Sequence, residues 1–417
     1  MESIWLRLTG DGVKDRGLGQ RCTNLLTMSR GGLSYPFNLL VQDFDMDVLL
    51  IAMHPGGGIR TYLRYVFSTP VMGDLNVSLI TPATQSGEFF KEHFRTATFT
   101  HHETGVSIRN FGTEVAKIIG RERPSVIHSH GFTAGVMAAI PARIFRIPHI
   151  LTSHDVFLPS QFTGLKGGVR KWAMGRLLGV PDVINPVGKD ACKNLTDTYP
   201  TLSQRAHLRP IRNGIQSDYF LSDHRRPLRE ELGIGDDTIL LGFFGRFMGQ
   251  KGFPMLRDAV ETLNSRNQGF RFEVACFGWG GFIREEQALL RERELDQYFH
   301  FLPGTDDMNA ALRGVDAAVM PSRWEACPLL PMEALVSGTV VISSDCVGMK
   351  EVTEDTPALT FTSEDVTALI ERLQYLARHM KECKDEAESF RNQAAERFDA
   401  SVTAAAVREL YNRMARY

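Results

Sequence analysis

The chain has 417 residues, 43% of them hydrophobic and 23% charged, and a formal net charge of −2. That length exceeds one ordinary core and favours two domains, while the near-neutral charge excludes nucleic acid as a bulk partner. The six cysteines, Cys22, Cys192, Cys276, Cys327, Cys346 and Cys383, are scattered with no Cys-x-x-Cys, which reads as reduced thiols of a cytoplasmic protein rather than a disulfide framework or zinc site. No run of eighteen apolar residues is present to suggest a spanning helix.

Residues 1–45 show no clear period and lack the long apolar core of a secretory signal; they read as an extension of uncertain structure. From Met46 the chain alternates. Strand patterns fall near 47–53, 75–80, 125–129, 148–152 and 182–187, and helical patterns near 59–68, 106–120, 133–145, 166–178 and 188–197. A further strand runs from His207 to Arg212 and ends at the turn Asn213-Gly214-Ile215, where the hinge between domains is placed. A second series has strands near 238–244, 271–277, 298–302, 315–320 and 339–343, then helices near 364–380 and 384–397 and a helical pattern from Ser401 to Tyr417. Strands alternating with helices imply parallel sheets, so the fold class is α/β.

Two segments of the second half carry chemistry. The strand Thr238–Phe244 runs into Gly245-Arg246-Phe-Met-Gly-Gln-Lys251-Gly252 and then a helix. Two cations in a turn at a helix start suit a diphosphate, Arg as a planar fork and Lys as a point charge. The segment has neither a Walker loop nor GxGxxG. Further on, Arg323-Trp-Glu325-Ala-Cys-Pro-Leu-Leu-Pro-Met-Glu333-Ala-Leu-Val-Ser-Gly338 places two glutamates eight residues apart. Pro328 and Leu329 start a helix that Gly338 ends, and its unpaired N–H groups suit phosphate. Both segments sit at the carboxyl ends of expected parallel strands, where open α/β sheets bind ligands.

Gly245-Arg246, Lys251-Gly252 and Glu325-x7-Glu333 together resemble the signature of the retaining glycosyltransferases of family 4, which have the GT-B fold. The resemblance runs from about Met46 to the C-terminus and is more specific in the second half. It implies two Rossmann-like domains facing across a cleft: an acceptor-binding domain over 46–213, a nucleotide-sugar-binding domain over 214–399, and a terminal helix near 400–417 packing back on the first. Arg246 and Lys251 would hold the donor diphosphate, Glu333 the ribose hydroxyls and Glu325 the sugar, with backbone N–H groups around Cys327, Leu329 and Leu330 aiding. In His54-Pro-Gly56-Gly57-Gly58-Ile-Arg60, Gly57 and Gly58 match a family loop that faces the donor phosphates. His154 matches a residue that contacts the transferred sugar, while His130 and Arg60 are the acceptor-facing residues. The catalytic set is therefore His154, Glu325, Arg246 and Lys251.

The expected reaction moves a sugar from a nucleoside diphosphate sugar to a hydroxyl of a glycan, lipid-linked sugar or small molecule, with no metal or other cofactor. A sugar phosphorylase on the same fold and a non-catalytic nucleotide-sugar binder are the alternatives. His128, His130, His154 and Asp155 could in principle gather around a metal, but the cations of the diphosphate site make one unnecessary. Asp43-Phe-Asp45 has the spacing of a metal-binding Asp-x-Asp yet precedes the first strand, whereas that motif follows a central one. Cys327-Pro328 stands where many relatives have Phe-Gly. Trp279, in Gly278-Trp-Gly-Gly281, either stacks on a base or packs. The basic stretch Leu165-Lys-Gly-Gly-Val-Arg170-Lys171-Trp-Ala-Met-Gly-Arg176 has two readings. It is a peripheral contact with an anionic membrane face, or a surface helix with its apolar side on the core, which is the preferred reading.

Overall fold

The computed structural model describes residues 27–30, 33–36, 46–83, 87–205, 207–266 and 269–416. β1 (Thr27–Arg30) and β2 (Leu33–Pro36) pair antiparallel as a unit of their own; Asp43 and Asp45 lie outside the described residues.

From Met46 two parallel sheets follow in succession. The first contains β3 (Met46–Ala52), β4 (Leu75–Pro82), β5 (Thr98–Thr104), β6 (Val126–His130), β7 (His149–Ser153), β8 (Val183–Pro186) and β9 (His207–Leu208), in the order β5-β4-β3-β6-β7-β8-β9. The second contains β10 (Thr238–Phe244), β11 (Arg271–Phe277), β12 (Phe299–Leu302), β13 (Ala317–Met320), β14 (Val340–Ser344) and β15 (Leu359–Phe361), in the order β12-β11-β10-β13-β14-β15. Helices cover both faces, which is why every residue of β10 and all but Asp47 of β3 are buried. Each sheet winds outward from its first strand in one direction and then reverses. The reversal falls between β3 and β6 in one sheet and between β10 and β13 in the other. A crevice opens at such a switch point, outside the strand ends.

Most expected elements form near their expected places. In the two parallel sheets the two strands without a sequence signal are edges: β5 is polar and half-exposed, and β15 has three residues. The helix Ile283–Glu292 was also not anticipated; it buries Leu290 alone. The strand expected over His207–Arg212 is paired only at His207 and Leu208. Beyond it Arg209 and Ile211 still donate to β8 carbonyls at 2.9 and 3.1 Å, but Pro210 has no N–H and regular pairing stops.

The chain crosses between the two domains twice, and the crossings are bonded to each other. Ile215 donates its N–H to Phe398 O at 2.8 Å, and Ala400 donates to Ile215 O at 2.8 Å. A Cβ on Gly214 would lie 2.8 Å from both Asp399 O and Thr403 Oγ1, so glycine is what lets the strands of the joint touch. After this joint the helix Ala400–Met414 lies on the first sheet, with Ala404, Val407, Leu410 and Tyr411 in one core with residues of β3 and β4. Arg408 grips Asp74 through both oxygens at 2.5 and 2.6 Å. The Tyr411 hydroxyl meets Nδ1 of the fully buried His128 at 2.6 Å, and His128 Nε2 meets Thr152 Oγ1 at 2.6 Å.

Replacing Tyr411 with Phe keeps the ring but strands Nδ1 of His128 in the core. An unsatisfied buried group of this kind costs about 1–3 kcal/mol. The variant is expected to unfold at a lower urea concentration than the parent with an unchanged slope.

Candidate functional site

The second switch point is built by two strand ends. After β10 the chain passes Gly245 and Arg246, makes a tight turn at Gly249–Lys251 and enters the helix Phe253–Ser265. Gly252 carries the reversal at φ 68°, and a Cβ there would come within 1.8 Å of Pro321 O, so the turn packs directly on the end of β13. That contact aims Lys251 at the loop after β13. Lys251 Nζ lies 2.6 Å from Glu325 Oε1, and Ser322 donates its hydroxyl to the same oxygen at 2.8 Å. Gln250 Nε2 donates to Trp324 O at 2.8 Å and fixes the loop. Glu325 is buried, a position in which a carboxylate requires a partner.

After Glu325 the loop turns at Pro328, in extended conformation, into the helix Leu329–Val336, which Gly338 closes at φ 74°. No side chain caps this helix. Its first amides, on Leu329 and Leu330, donate to no acceptor among the described residues, so open N–H groups point out of the helix start. Cys327 stands just before them with a buried thiol pushed up to about 12, mainly by burial, and its carbonyl accepts from Asn213 Nδ2 at 2.8 Å. Glu333 follows one turn into the helix and is buried, which raises its carboxyl above the usual range.

Arg246 is exposed in the cleft, its guanidinium 5.8 Å from the Trp279 ring. Trp279 is 64% exposed, so it is not a packed core residue. The other domain meets Arg246 with the glycine turn after β3: Gly57 has φ 57° and ψ −129°, and a Cβ there would stand 4.0 Å from Arg246 Nε. The turn starts the helix Gly58–Phe67. Arg60, placed on the acceptor side by sequence, stacks its guanidinium over Phe89 at 4.7 Å.

His154 follows β7 and His130 ends β6; His130 Nδ1 lies 3.3 Å from His154 Nε2. Tyr62, from the helix Gly58–Phe67, packs its ring against both, at 5.6 and 5.0 Å between centroids. Burial pushes His154 down to about 3 and holds His130 well below its usual value. Both rings are therefore neutral at physiological pH, and His154 can exchange hydrogen bonds with a sugar but cannot serve as a cation. His130 Nε2 is buried without a partner. His128 packs its ring 4.2 Å from that of His130, but both its ring nitrogens are used, by Tyr411 and Thr152. Asp155 accepts from the Phe132 N–H at 3.2 Å. Among the described residues no three His, Cys, Asp or Glu side chains gather as metal ligands.

Structure thus joins Lys251 to Glu325, sets Arg246 against Gly57, and pairs His130 with His154. Sequence reasoning missed Ser322 and Gln250, whose roles depend on loop geometry. It also missed Tyr65, whose hydroxyl donates to Glu333 Oε1 at 2.8 Å from the other domain. The available signal was Tyr62 and Tyr65 one turn apart on the helix that follows the glycine turn; nothing local ties Tyr65 to a residue 268 positions away.

The family profile described as "Glycosyl transferases group 1" matches residues 238–379, and that described as "Glycosyltransferase Family 4" matches residues 56–219. The chain is 27% identical over 249 residues to alpha-maltose-1-phosphate synthase of Mycolicibacterium smegmatis, a match covering 56% of this chain and 63% of that one. With the putative glycosyltransferase EpsF of Bacillus subtilis it is 28% identical over 54% of this chain and 59% of the relative. The match thus spans about three fifths of the length of these relatives. Among solved structures, sucrose-phosphate synthase of Thermosynechococcus elongatus superposes with a TM-score of 0.75 at 18% identity, over 88% of this chain and 99% of that one. Anabaena HepE in complex with UDP-glucose superposes with a TM-score of 0.73 at 18% identity, over the same shares. The two sheets, the cleft residues and both profile matches make this chain a member of the group 1, family 4 glycosyltransferases with the GT-B fold.

Proposed function

We propose that this protein transfers a sugar from a nucleoside diphosphate sugar to an acceptor hydroxyl, retaining the anomeric configuration and using no metal. The observation that carries this reading is the meeting of Lys251, Glu325 and the open helix start of Leu329–Val336 where β10 and β13 end. Arg246 and Lys251 neutralise the diphosphate and stabilise the charge that grows on it as the glycosidic bond breaks. The N–H groups of Leu329 and Leu330 add donors to the same phosphates. Glu325 is held by Lys251 and Ser322 through Oε1, and its Oε2, which accepts only a long 3.4 Å bond from Gln250 Nε2, orients sugar hydroxyls. Glu333 accepts from the ribose. His154 contacts the sugar as a neutral ring, and His130 and Arg60 face the acceptor side. Because the acceptor hydroxyl attacks from the side of the departing phosphate, that phosphate takes the proton and no side-chain nucleophile is required. The structural neighbour HepE was crystallised with UDP-glucose, which supports trying a uridine donor first. A phosphorylase would instead require free phosphate, and a non-catalytic binder would show no turnover.

Arg246 makes no ion pair among the described residues, so Arg246→Ala should fold normally. Its kcat/KM is expected to fall about 10²–10³-fold, the usual loss for one donor to developing charge. Assaying UDP-, GDP- and ADP-sugars in EDTA, with NMR of the product anomer, checks activity, retention and metal independence together. Activity that vanishes in EDTA and returns with a divalent ion would overturn the metal-free reading.

Glu333 gives a pH dependence. Its raised pKa means that folding stability is fully present below the unfolded value and declines as pH rises through the folded one. Nucleotide binding runs the other way, because only the carboxylate accepts two hydrogen bonds. Affinity should rise with pH through a midpoint above the ordinary glutamate range. Glu333→Gln should remove that step and bind nucleotide more weakly, yet melt about 1–3 °C higher at neutral pH. Calorimetric titration across pH and thermal unfolding check the two halves.

The acceptor side bears a second feature. In the helix Gly164–Leu178, Leu165, Val169 and Trp172 are 93%, 67% and 65% exposed and share one face. The helix rests on the core through Gly167, Met174 and Leu178, the side that the packed reading expects, and this second apolar strip faces outward. Lys166, Arg170, Lys171 and Arg176 accompany them, and Ile140 and Ile144 of the helix Phe132–Phe145 are also exposed. A basic helix with an exposed apolar face suits an anionic membrane surface, so we place the enzyme peripherally at the cytoplasmic face, acting on a lipid-linked acceptor. It should sediment with vesicles containing phosphatidylglycerol and not with phosphatidylcholine alone. Leu165→Ser/Trp172→Ser should reduce that binding at least tenfold.

A further inference from the structure

The helix Gly58–Phe67 belongs to the first domain, yet Tyr65 on it lies in the main hydrophobic core of the second. Its ring meets Phe220 edge-on at 6.5 Å, and its hydroxyl donates to Glu333 Oε1 at 2.8 Å. Arg64 stacks its guanidinium 4.7 Å from the same ring, and its Nε is buried without an acceptor. Glu333 Oε2 accepts no hydrogen bond among the described residues. At the opposite end of this helix stands the Gly57 turn that faces Arg246. One rigid element therefore touches the donor-binding domain at two of the places where a nucleotide sugar would be held.

We propose that Tyr65 is a positioning residue of the donor site: its phenol holds one oxygen of Glu333 so that the other is presented to a ribose hydroxyl, and its helix ties ribose recognition to the glycine turn opposite Arg246. This rests on the reading of Glu333 as the ribose carboxylate. A carboxylate alone on a helix can rotate about its side-chain bonds. Bonded at one oxygen by a phenol whose ring is packed, it has a single orientation, and less ordering is required when the ribose arrives. Burial and the neighbouring carboxylate hold the Tyr65 phenol well above its ordinary pKa, so it stays a donor at all working pH values. The same bond joins the two domains, so ribose binding at Glu333 and closure of the Gly57 turn over the diphosphate are parts of one event.

The test compares binding of UDP, GDP and ADP with their 2′-deoxy counterparts by calorimetry, in the parent, Tyr65→Phe and Glu333→Gln. The parent is expected to prefer the ribonucleotide of its base about tenfold, the scale of a hydrogen bond to a charged group. Tyr65→Phe keeps the ring but removes the hydrogen bond to the buried Glu333, so its melting temperature should fall by a few degrees while the fold persists. Its preference for ribose should shrink to about threefold or less, with donor KM raised more than kcat is lowered. A merely structural role would weaken both nucleotides equally and leave the ratio intact. If Glu333→Gln loses the ratio while Tyr65→Phe keeps it, the role of Tyr65 is wrong and the donor site stands. If the parent binds no nucleotide, or Glu333→Gln keeps the ratio, the donor site reading fails and takes this inference with it. Replacing Tyr65 with 3-fluorotyrosine keeps the hydroxyl and ring and chiefly changes the acidity of the hydroxyl, so it serves if the Phe variant does not fold. The ratio should move with that change, and an unchanged ratio overturns the proposal.

Discussion

A negative charge can be buried at Glu325 only because Lys251 and Ser322 meet it there. Much of the site follows from that pair. Lys251 and Glu325 lie 74 positions apart in the chain, and they meet because β10 and β13 pair in parallel, Leu241 opposite Ala317 and Gly242 opposite Ala318. The pairing sets the two strand ends side by side; the Gly252 turn then presses against Pro321 and delivers the lysine. A neighbouring close approach, of Gly348 to the carbonyls of Glu325 and Ala326, holds the loop from the other side. The charge balance of the cleft is thus built from backbone packing, and a substitution of any of these glycines would disturb it without touching a charged residue.

The second constraint is the way the two domains are held. They share more than a linker. Val187 and Ala191 of the first domain join Tyr65 in the core of the second, and Asp190 and Glu351 exchange contacts across the same boundary: Gly348 N–H donates to Asp190, and Asp190 N–H donates to Glu351. Both partners there are backbone amides at helix starts, where a carboxylate is favoured. With the bonded crossings at Ile215 and Ala400, these contacts make one edge of the cleft a fixed joint. On the other side of the cleft Gly57 faces Arg246.

The buried histidines divide by pairing. His128, joined to Tyr411 and Thr152, is satisfied on both nitrogens and belongs to the frame. His130, one alternate position along the same strand, has an unpaired Nε2 and packs against His154 and Tyr62 at the mouth of the switch point. A strand directs alternate residues to the same face, so neighbouring positions of one pattern, His-Ser-His, can be frame at one end and cleft at the other. Their neutral rings suit a site whose positive charge is supplied by Arg246 and Lys251.

Local chemistry in the chain determined the α/β alternation, most element positions and the residue types at the ends of β10 and β13, because strand periodicity, glycine turns and a helix start are short-range properties. The motif positions at Arg246, Lys251, Glu325 and Glu333 were readable for the same reason. Tertiary structure decided which of them touch. The edge strands β5 and β15 carried no signal because half-exposed or three-residue strands have no apolar run to read. The helix Gly164–Leu178 formed despite its glycines and sets Met174 and Leu178 on the core while Leu165, Val169 and Trp172 face outward, a division that periodicity alone could not assign. Tyr65 was silent altogether: its partner Glu333 is 268 residues away, and a contact between domains depends on how two finished sheets are set against each other, a relation that no stretch of chain encodes on its own.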